Sequence, residues 1–393
     1  MDGNLLSQQP TSNIQAKQHS RCPTVVVAMS GGVDSSVAAA ILVEEGYNVI
    51  GVTMQIWPQQ NETEQKFSRT CCSLSAIDDA RRVAFQLGIP HYLMNFREVF
   101  ARTVVHDFIE EYRRGRTPNP CIRCNRFIKF EALLDKARSL GAEYIATGHY
   151  ARIIFDESRG RWLLKRGVDS SKDQSYALYS MTQDQLAHTL MPLGNMTKDE
   201  TRRMASKLGL AVATKPESQE ICFVEDRKYP EFLKSVAPEI ARPGPILDTK
   251  GQVIGEHKGI AFYTIGQRKG LGIALGKPMY VVRINPERNA IVIGRNEDLY
   301  SRTLVAKDLN FISIENLQEQ IVVTAKIRYN MKDSPAILAP LPNGEALVTF
   351  DKPQRAITPG QAVVCYRGEE VVGGGTIDRV VESNEATKYC NFN

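Results

Sequence analysis

No stretch of this chain is long and apolar enough to be expected to cross a bilayer as a helix. Its best apolar run, Val37 to Val43, falls far short of the ~18 residues such a span needs. The first twenty residues have neither an apolar centre nor an Arg-rich amphipathic pattern, which argues against a secretory signal and a transit peptide. They read as a disordered polar tail, residues 1–21, and the expectation is a cytoplasmic protein. Eight cysteines in 393 residues do not suggest a disulfide framework in such a compartment. Their placement points instead to metal binding or thiol chemistry at selected positions. No internal repeat is found, and no low-complexity tract beyond the tail. A net charge of +5 decides little by its size. What remains is an ordinary soluble composition, 42% hydrophobic and 24% charged, with room for two or three domains.

A Lys is also missing where a kinase-type phosphate loop would have one. The segment is Ala28-Met29-Ser30-Gly31-Gly32-Val33-Asp34-Ser35, preceded by Val25-Val26-Val27 and followed by Ser36 to Glu45 and Gly46. It reads as strand, glycine turn and helix. The glycines let backbone N–H groups converge, and the helix N-terminus adds positive partial charge, which makes an anion site. The turn looks like the pyrophosphate loop of enzymes that split ATP between its α and β phosphates to adenylate a substrate.

From residue 22 to about 150, strand and helix patterns alternate. Strands are expected at Asn48 to Gln55, His91 to Asn95 and Tyr144 to Thr147, with helices at Ser75 to Leu87, Glu98 to Arg113 and Asn125 to Leu140. This order predicts an α/β fold, a parallel sheet with helices on both faces. Ligands of such sheets bind at the carboxyl ends of the strands, which puts Ser30–Ser35, Met54 and Gly148-His149 on one rim. Residues 22–226 form the expected catalytic unit, 227–300 a smaller Gly/Pro-punctuated unit and 301–393 a small β-barrel. The barrel is read from period-two alternation in segments such as 322–329, 346–350 and 362–366.

Between Arg113 and Lys129 lie six basic residues and no acidic one, a run suited to a phosphate-rich partner or to a solvated helix face. Inside it, Asn119-Pro120-Cys121-Ile122-Arg123-Cys124-Asn125 opens a helix. The helix dipole and the arginines favour thiolates there. Cys222 follows in the Pro-punctuated segment Lys215 to Phe223. Three such cysteines suit a thiol relay or a 4Fe–4S cluster with one open iron; a zinc knuckle would want a second Cys pair, for which only Cys71-Cys72 is at hand. Cys22, Cys71, Cys72, Cys365 and Cys390 read as packing or surface thiols.

With these residues in view, the chain resembles the tRNA-specific 2-thiouridylases from about residue 24 to 385. The resemblance rests on Ser30 to Ser35, Thr117 to Asn125, Thr147 to Arg152, Lys172 to Tyr176, Ile221 to Phe223, Tyr263 to Gly272 and Pro353 to Gln361. It implies a PP-loop ATPase domain of the adenine nucleotide alpha hydrolase type, followed by a small central domain and a C-terminal β-barrel. It implies ATP and Mg²⁺ at Ala28–Ser35, Met54 and Gly148, with Cys124 and Cys222 as catalytic thiols. Anticodon-loop contacts are implied at Asn119, Pro120, Cys121, His149, Lys172, Asp173, Gln174, Arg328, Tyr329 and Gln361. The implied partners are a tRNA with its wobble uridine and a persulfide or sulfide donor, such as a cysteine desulfurase or a sulfur relay protein. The better-known branch has Asp where this chain has Cys121. That departure leads to the expectation of a 4Fe–4S cluster on Cys121, Cys124 and Cys222. Rival classes are another adenylating enzyme, such as an amide-forming ligase without essential cysteines, and a non-catalytic RNA-binding protein.

Overall fold

Val25, Val26 and Val27 feed two separate cores. In the computed structural model, which describes residues 22–56, 74–216, 221–224, 229–273 and 276–381, β1 (Thr24–Ala28) is the middle strand of a five-stranded sheet. The order is β3 (His91–Asn95), β2 (Asn48–Gln55), β1, β4 (Tyr144–Ala146), β7 (Thr189–Leu190), and every pairing is parallel. Val26 and Ala28 join Phe100, Phe108, Ile128 and Leu133 on one face. Val25 and Val27 join Val37, Leu42 and Ala80 on the other. A strand covered on both faces needs a continuous apolar run rather than alternation, which is why β1 is legible. The strand order reverses at β1, and the crevice beyond its carboxyl end is where such sheets bind ligands.

α1 (Val33–Glu44) begins three residues before the expected start at Ser36, so Val33, Asp34 and Ser35 form its first turn. α2 (Leu74–Gln86) agrees with its pattern. Residues 97–113 form one long helix with a π-helical stretch at Ala101–Val105. The next helix is 120–139, and Asn119 to Asn125 opens it as expected, ahead of the periodic run from Asn125. Asn119 caps it by accepting from the Ile122 N–H at 3.3 Å, and Pro120 occupies a position whose N–H is not needed. Both Cys121 and Cys124 are therefore helical.

A four-stranded sheet follows, in the order β10 (Tyr280–Asn285), β11 (Ala290–Gly294), β8 (Gly244–Leu247), β9 (Val253–His257). Six antiparallel strands then close a barrel: β12 (Tyr300–Phe311), β15 (Ala346–Arg355), β14 (Ser334–Pro340), β13 (Ile321–Lys326), β16 (Ala362–Arg367) and β17 (Glu370–Val381), with β12 pairing back to β17. Leu304, Val323, Leu338, Phe350 and Cys365 fill it. Strand β13 stops at Lys326, three residues short of the expected end. The parallel sheet, central unit and barrel agree with the fold class read from the sequence. One pairing was not foreseen: the hairpin β5 (Ala151–Asp156) and β6 (Arg161–Arg166) attaches to the barrel sheet through Lys165 opposite Glu370. The tail 1–21, Cys71, Cys72 and Cys390 lie outside the described residues.

Candidate active site

Ser30 and Gly31 leave β1 into a turn that has no room for a larger residue. Gly31 has φ +68°, and a Cβ there would sit 2.1 Å from the Ala76 carbonyl oxygen. A Cβ on Gly148, beyond β4, would lie 2.7 Å from the Asp34 carbonyl carbon and 2.8 Å from the Ser35 nitrogen. The loop is thus pressed between α2 and the β4 rim. It is also pinned from within: the Ser30 N–H donates to Ser35 Oγ at 3.1 Å, and Ser36 Oγ donates to the Gly32 carbonyl at 2.8 Å. Thr53 Oγ1 holds the Met29 carbonyl at 2.8 Å. Ala28, Met29 and Val33 are buried behind it, while Ser30 faces solvent. This rigid turn opens a twelve-residue helix, whose N-terminus favours an anion.

Two lysines from far along the chain supply the charge absent from the loop's own sequence. Lys198 Nζ lies 2.7 and 2.9 Å from the two oxygens of Asp34. The Tyr150 hydroxyl donates to the same carboxylate at 2.8 Å. Lys215 Nζ donates to the Gly31 carbonyl at 2.9 Å and to Asp79 at 2.7 Å. Sequence reasoning missed Lys198, Lys215, Tyr150 and Asp79. One signal was available. Lys198 is the first residue of a helix capped by Thr197 and Glu200, and a cation in a first turn opposes the dipole unless a carboxylate lies near.

The reactive-thiol candidates gather on the opposite sheet face. Cys124, Cys222 and Met54 are partly buried against one apolar cluster. The 120–124 turn packs on the 97–113 helix, and Arg123 bonds Asp107 across that contact at 3.0 Å. Burial raises the Asp107 carboxyl, with Arg123 working the other way. Phe223, next to Cys222, places its ring 5.5 Å from Phe100 and 5.2 Å from Phe108. The segments carrying both thiols therefore pack on the same helix. Cys121 is exposed. Among the described residues, no group of three His, Cys, Asp or Glu is arranged to hold a metal. Cys121, Cys124 and Cys222 thus do not stand as a ligand set for the expected 4Fe–4S cluster. Cys365 is buried in the barrel, as expected of a packing thiol, and burial pushes its thiol up to about 12.

The residues expected at the RNA divide into exposed and internal ones. Lys172 is partly exposed and Tyr329 is 38% exposed, its ring 6.1 Å from that of Tyr176. Tyr176 in turn donates to the Ala362 carbonyl at 2.9 Å, and Asn125 Nδ2 donates to the Ala177 carbonyl at 2.9 Å. The 172–178 segment thereby bridges the Cys124 helix and the barrel. His149, in contrast, is buried, bonded to Thr147 at 2.8 Å and 5.8 Å from the Phe130 ring. Burial, with Lys129 nearby, holds its pKa well below the usual imidazole value, so the ring is neutral. Asp173 is buried, accepting from the Gly167 and Ser175 N–H groups at 3.2 and 3.1 Å. Gln174 accepts from the Tyr150 N–H at 3.0 Å. Arg328 donates to the Ala356 carbonyl at 2.7 Å and Thr358 at 3.0 Å, and Gln361 donates to the Thr117 and Pro118 carbonyls at 2.9 and 3.1 Å.

A cleft of about 1400 Å³ opens between the 97–113 helix end, the central unit and the barrel; its walls include Arg114, Arg116, Arg283, Arg302 and Lys307, with Asp298 and Asp378 among them.

Residues 23–226 match the family model described as the tRNA methyl transferase HUP domain. Residues 230–295 match the tRNA methyl transferase PRC-barrel domain, and 301–377 the aminomethyltransferase beta-barrel domain. A protein named tRNA-specific 2-thiouridylase MnmA from Acetivibrio thermocellus is 58% identical over 353 residues, covering 90% of this chain and 98% of that protein. Proteins of the same name from Pelotomaculum thermopropionicum and Moorella thermoacetica are each 59% identical, covering 90% and 91% of this chain and 97% and 100% of theirs. Identity at this level along nine-tenths of the sequence means that the chain belongs to the tRNA-specific 2-thiouridylase family.

Proposed function

We propose that this chain is an ATP-dependent tRNA-uridine 2-sulfurtransferase that places sulfur on C2 of the wobble uridine. The observation that carries the reading is the pairing of a rigid anion turn with two thiol segments packed on one helix of the same domain. A uridine C2 carbonyl resists substitution because its oxygen leaves poorly. Attack of that oxygen on the α phosphorus of ATP forms an O–P bond, releases pyrophosphate and converts the oxygen into part of AMP, a good leaving group. The Ser30–Ser35 turn suits the pyrophosphate, and Lys198 and Lys215 offset negative charge around it. Mg²⁺ bound with the phosphates would supply further neutralisation, and Asp34 and the Ser35 hydroxyl are hard oxygen donors that fit it.

Sulfur would arrive as a persulfide on Cys222, loaded by a donor protein. Its terminal sulfur attacks C2, the C–O bond breaks and AMP departs with the electron pair. The Cys124 thiolate then attacks the Cys222 sulfur of the mixed disulfide, freeing the 2-thiouridine and leaving a Cys124–Cys222 disulfide for an external thiol to reduce. The target base must first leave its stack, a cost of about a few kcal/mol, offset by contacts to the surrounding phosphates and ribose. The basic cleft, the partly exposed Lys172 and the exposed Tyr329 suit that role.

The test is reconstitution with unmodified tRNA, ATP and a sulfide or persulfide source, reading wobble nucleosides by mass spectrometry and pyrophosphate separately. The proposal expects ATP-dependent 2-thiouridine with one pyrophosphate per product. It also expects C124S and C222S to lose the thionucleoside. An amide-forming ligase would keep its activity in both variants, and an RNA-binding protein would release no pyrophosphate.

A further inference from the structure

Pro118-Asn119-Pro120 is a poor segment for holding itself in place, because its two prolines bring no N–H donors. It nevertheless sets where the Cys121–Cys124 helix begins, since Asn119 is the cap. The donors come from the barrel, some 240 residues later. Gln361 Nε2 donates to the carbonyls of Thr117 and Pro118 at 2.9 and 3.1 Å, which occupies both hydrogens of that amide nitrogen. The Thr117 N–H donates to the Pro359 carbonyl at 2.9 Å. Gly360 has φ +91°, and a Cβ there would lie 2.9 Å from both the nitrogen and the oxygen of Thr117, so only glycine allows this approach. The barrel side of the contact is itself locked: the Gly360 N–H donates to the Ile377 carbonyl at 2.9 Å, and the Ile377 N–H to the Gln361 carbonyl at 2.7 Å. One residue upstream, Arg116 donates to the Ile377 carbonyl at 2.9 Å and Asp378 Oδ1 at 3.1 Å.

From this geometry we infer that Gln361 is a positioning residue: its amide fixes the Thr117–Pro118 carbonyls and so sets the placement of the Cys124 helix turn before any RNA is bound. The barrel thereby takes part in the chemistry through backbone it holds, not only through RNA it touches. This rests on the reading that Cys124 is the reactive thiol, and the two fail separately. Retention of thiolation by C124S would end the reading of the reaction. The Gln361 inference is tested without turnover.

Q361E keeps the side-chain shape but has no N–H to donate, whereas Q361K keeps donors. In the full-length enzyme without tRNA or ATP, the rate of Cys124 alkylation by iodoacetamide is followed peptide by peptide. Kd for unmodified tRNA and single-turnover thiolation are measured alongside. Loss of two neutral hydrogen bonds should change the Cys124 alkylation rate at least about fivefold in Q361E and slow thiolation about tenfold. The tRNA Kd should stay within about twofold, and Q361K should return the alkylation rate toward that of the parent. If Q361E alkylates at the parent rate, the inference is overturned, whether tRNA binding weakens (a direct RNA contact) or nothing changes. Should Q361E not fold, Q361A read by the same alkylation assay decides in the same way.

Discussion

The Lys198 ammonium lies 2.7 and 2.9 Å from the two carboxylate oxygens of Asp34, in the first turn of the phosphate-loop helix. A carboxylate at the mouth of the proposed pyrophosphate site would repel its ligand. Lys198, nearly buried, cancels that charge from the far end of the domain. K198M should therefore raise KM for ATP at least about tenfold and cut kcat/KM for pyrophosphate release about a hundredfold in all, since a half-buried pair broken on one side costs about 2–3 kcal/mol. The defect in KM should shrink in a D34N background. Pyrophosphate release at varied ATP, across the four-member mutant cycle, checks this; an undiminished KM defect in D34N would mean Lys198 acts on the nucleotide without Asp34.

Gly31 and Gly46 both have positive φ, at +68° and +85°, but only Gly31 faces backbone within reach of an added methyl. G46A should cost about 1 kcal/mol of stability, the backbone term alone, and leave activity intact. G31A must displace the Ala76 carbonyl and with it the start of α2, so nucleotide binding should be lost. Urea denaturation and equilibrium ATP binding on the two variants separate these outcomes.

His149 should make the protein acid-sensitive. Its ring is held neutral when folded, while the same ring in the unfolded chain takes a proton near pH 6.5. The unfolded state then binds more protons, so stability is present above about pH 6.5 and is lost as pH falls from there toward the depressed folded value. The slope is at most about 1.4 kcal/mol per pH unit for this one site. Urea midpoints between pH 7.5 and 5.5 should fall in the parent, and less steeply in H149Q. Equal slopes in the two proteins would show that the ring titrates normally in the fold.

Cys365, 1% exposed inside the barrel, should resist alkylation at pH 8 until the barrel unfolds, because burial disfavours its thiolate. C365A should retain thiolation activity and lose about 1–2 kcal/mol of stability to the small cavity. Rapid labelling of Cys365 in native protein would contradict the packing described for β16.

The candidate site was only partly legible. Residues 28–35 could be read because an apolar run, two glycines and an Asp-Ser pair sit within one turn of chain, and their geometry is local. The Cys124 helix was legible too, because Asn119 to Asn125 carries a cap residue, a proline at the first turn and the apolar run that follows. The partners of Lys198 and Lys215 were not legible for the opposite reason: the carboxylates and carbonyl they serve are 164, 136 and 184 residues away. The resemblance assigned His149, Asp173, Arg328 and Gln361 to RNA contact. The fold gives each of them protein partners, which are set by packing and not by type.

Composition and local pattern thus determined the parallel sheet, the anion turn, the helical Cys-x-x-Cys and the barrel, since each follows from periodicity and turn chemistry within about twenty residues. Tertiary structure alone decided what neutralises Asp34, what grips the backbone before Cys121, and that among the described residues no three His, Cys, Asp or Glu group to hold a metal. Those depend on which distant segments close packing brings into contact, and no short-range rule contains that information.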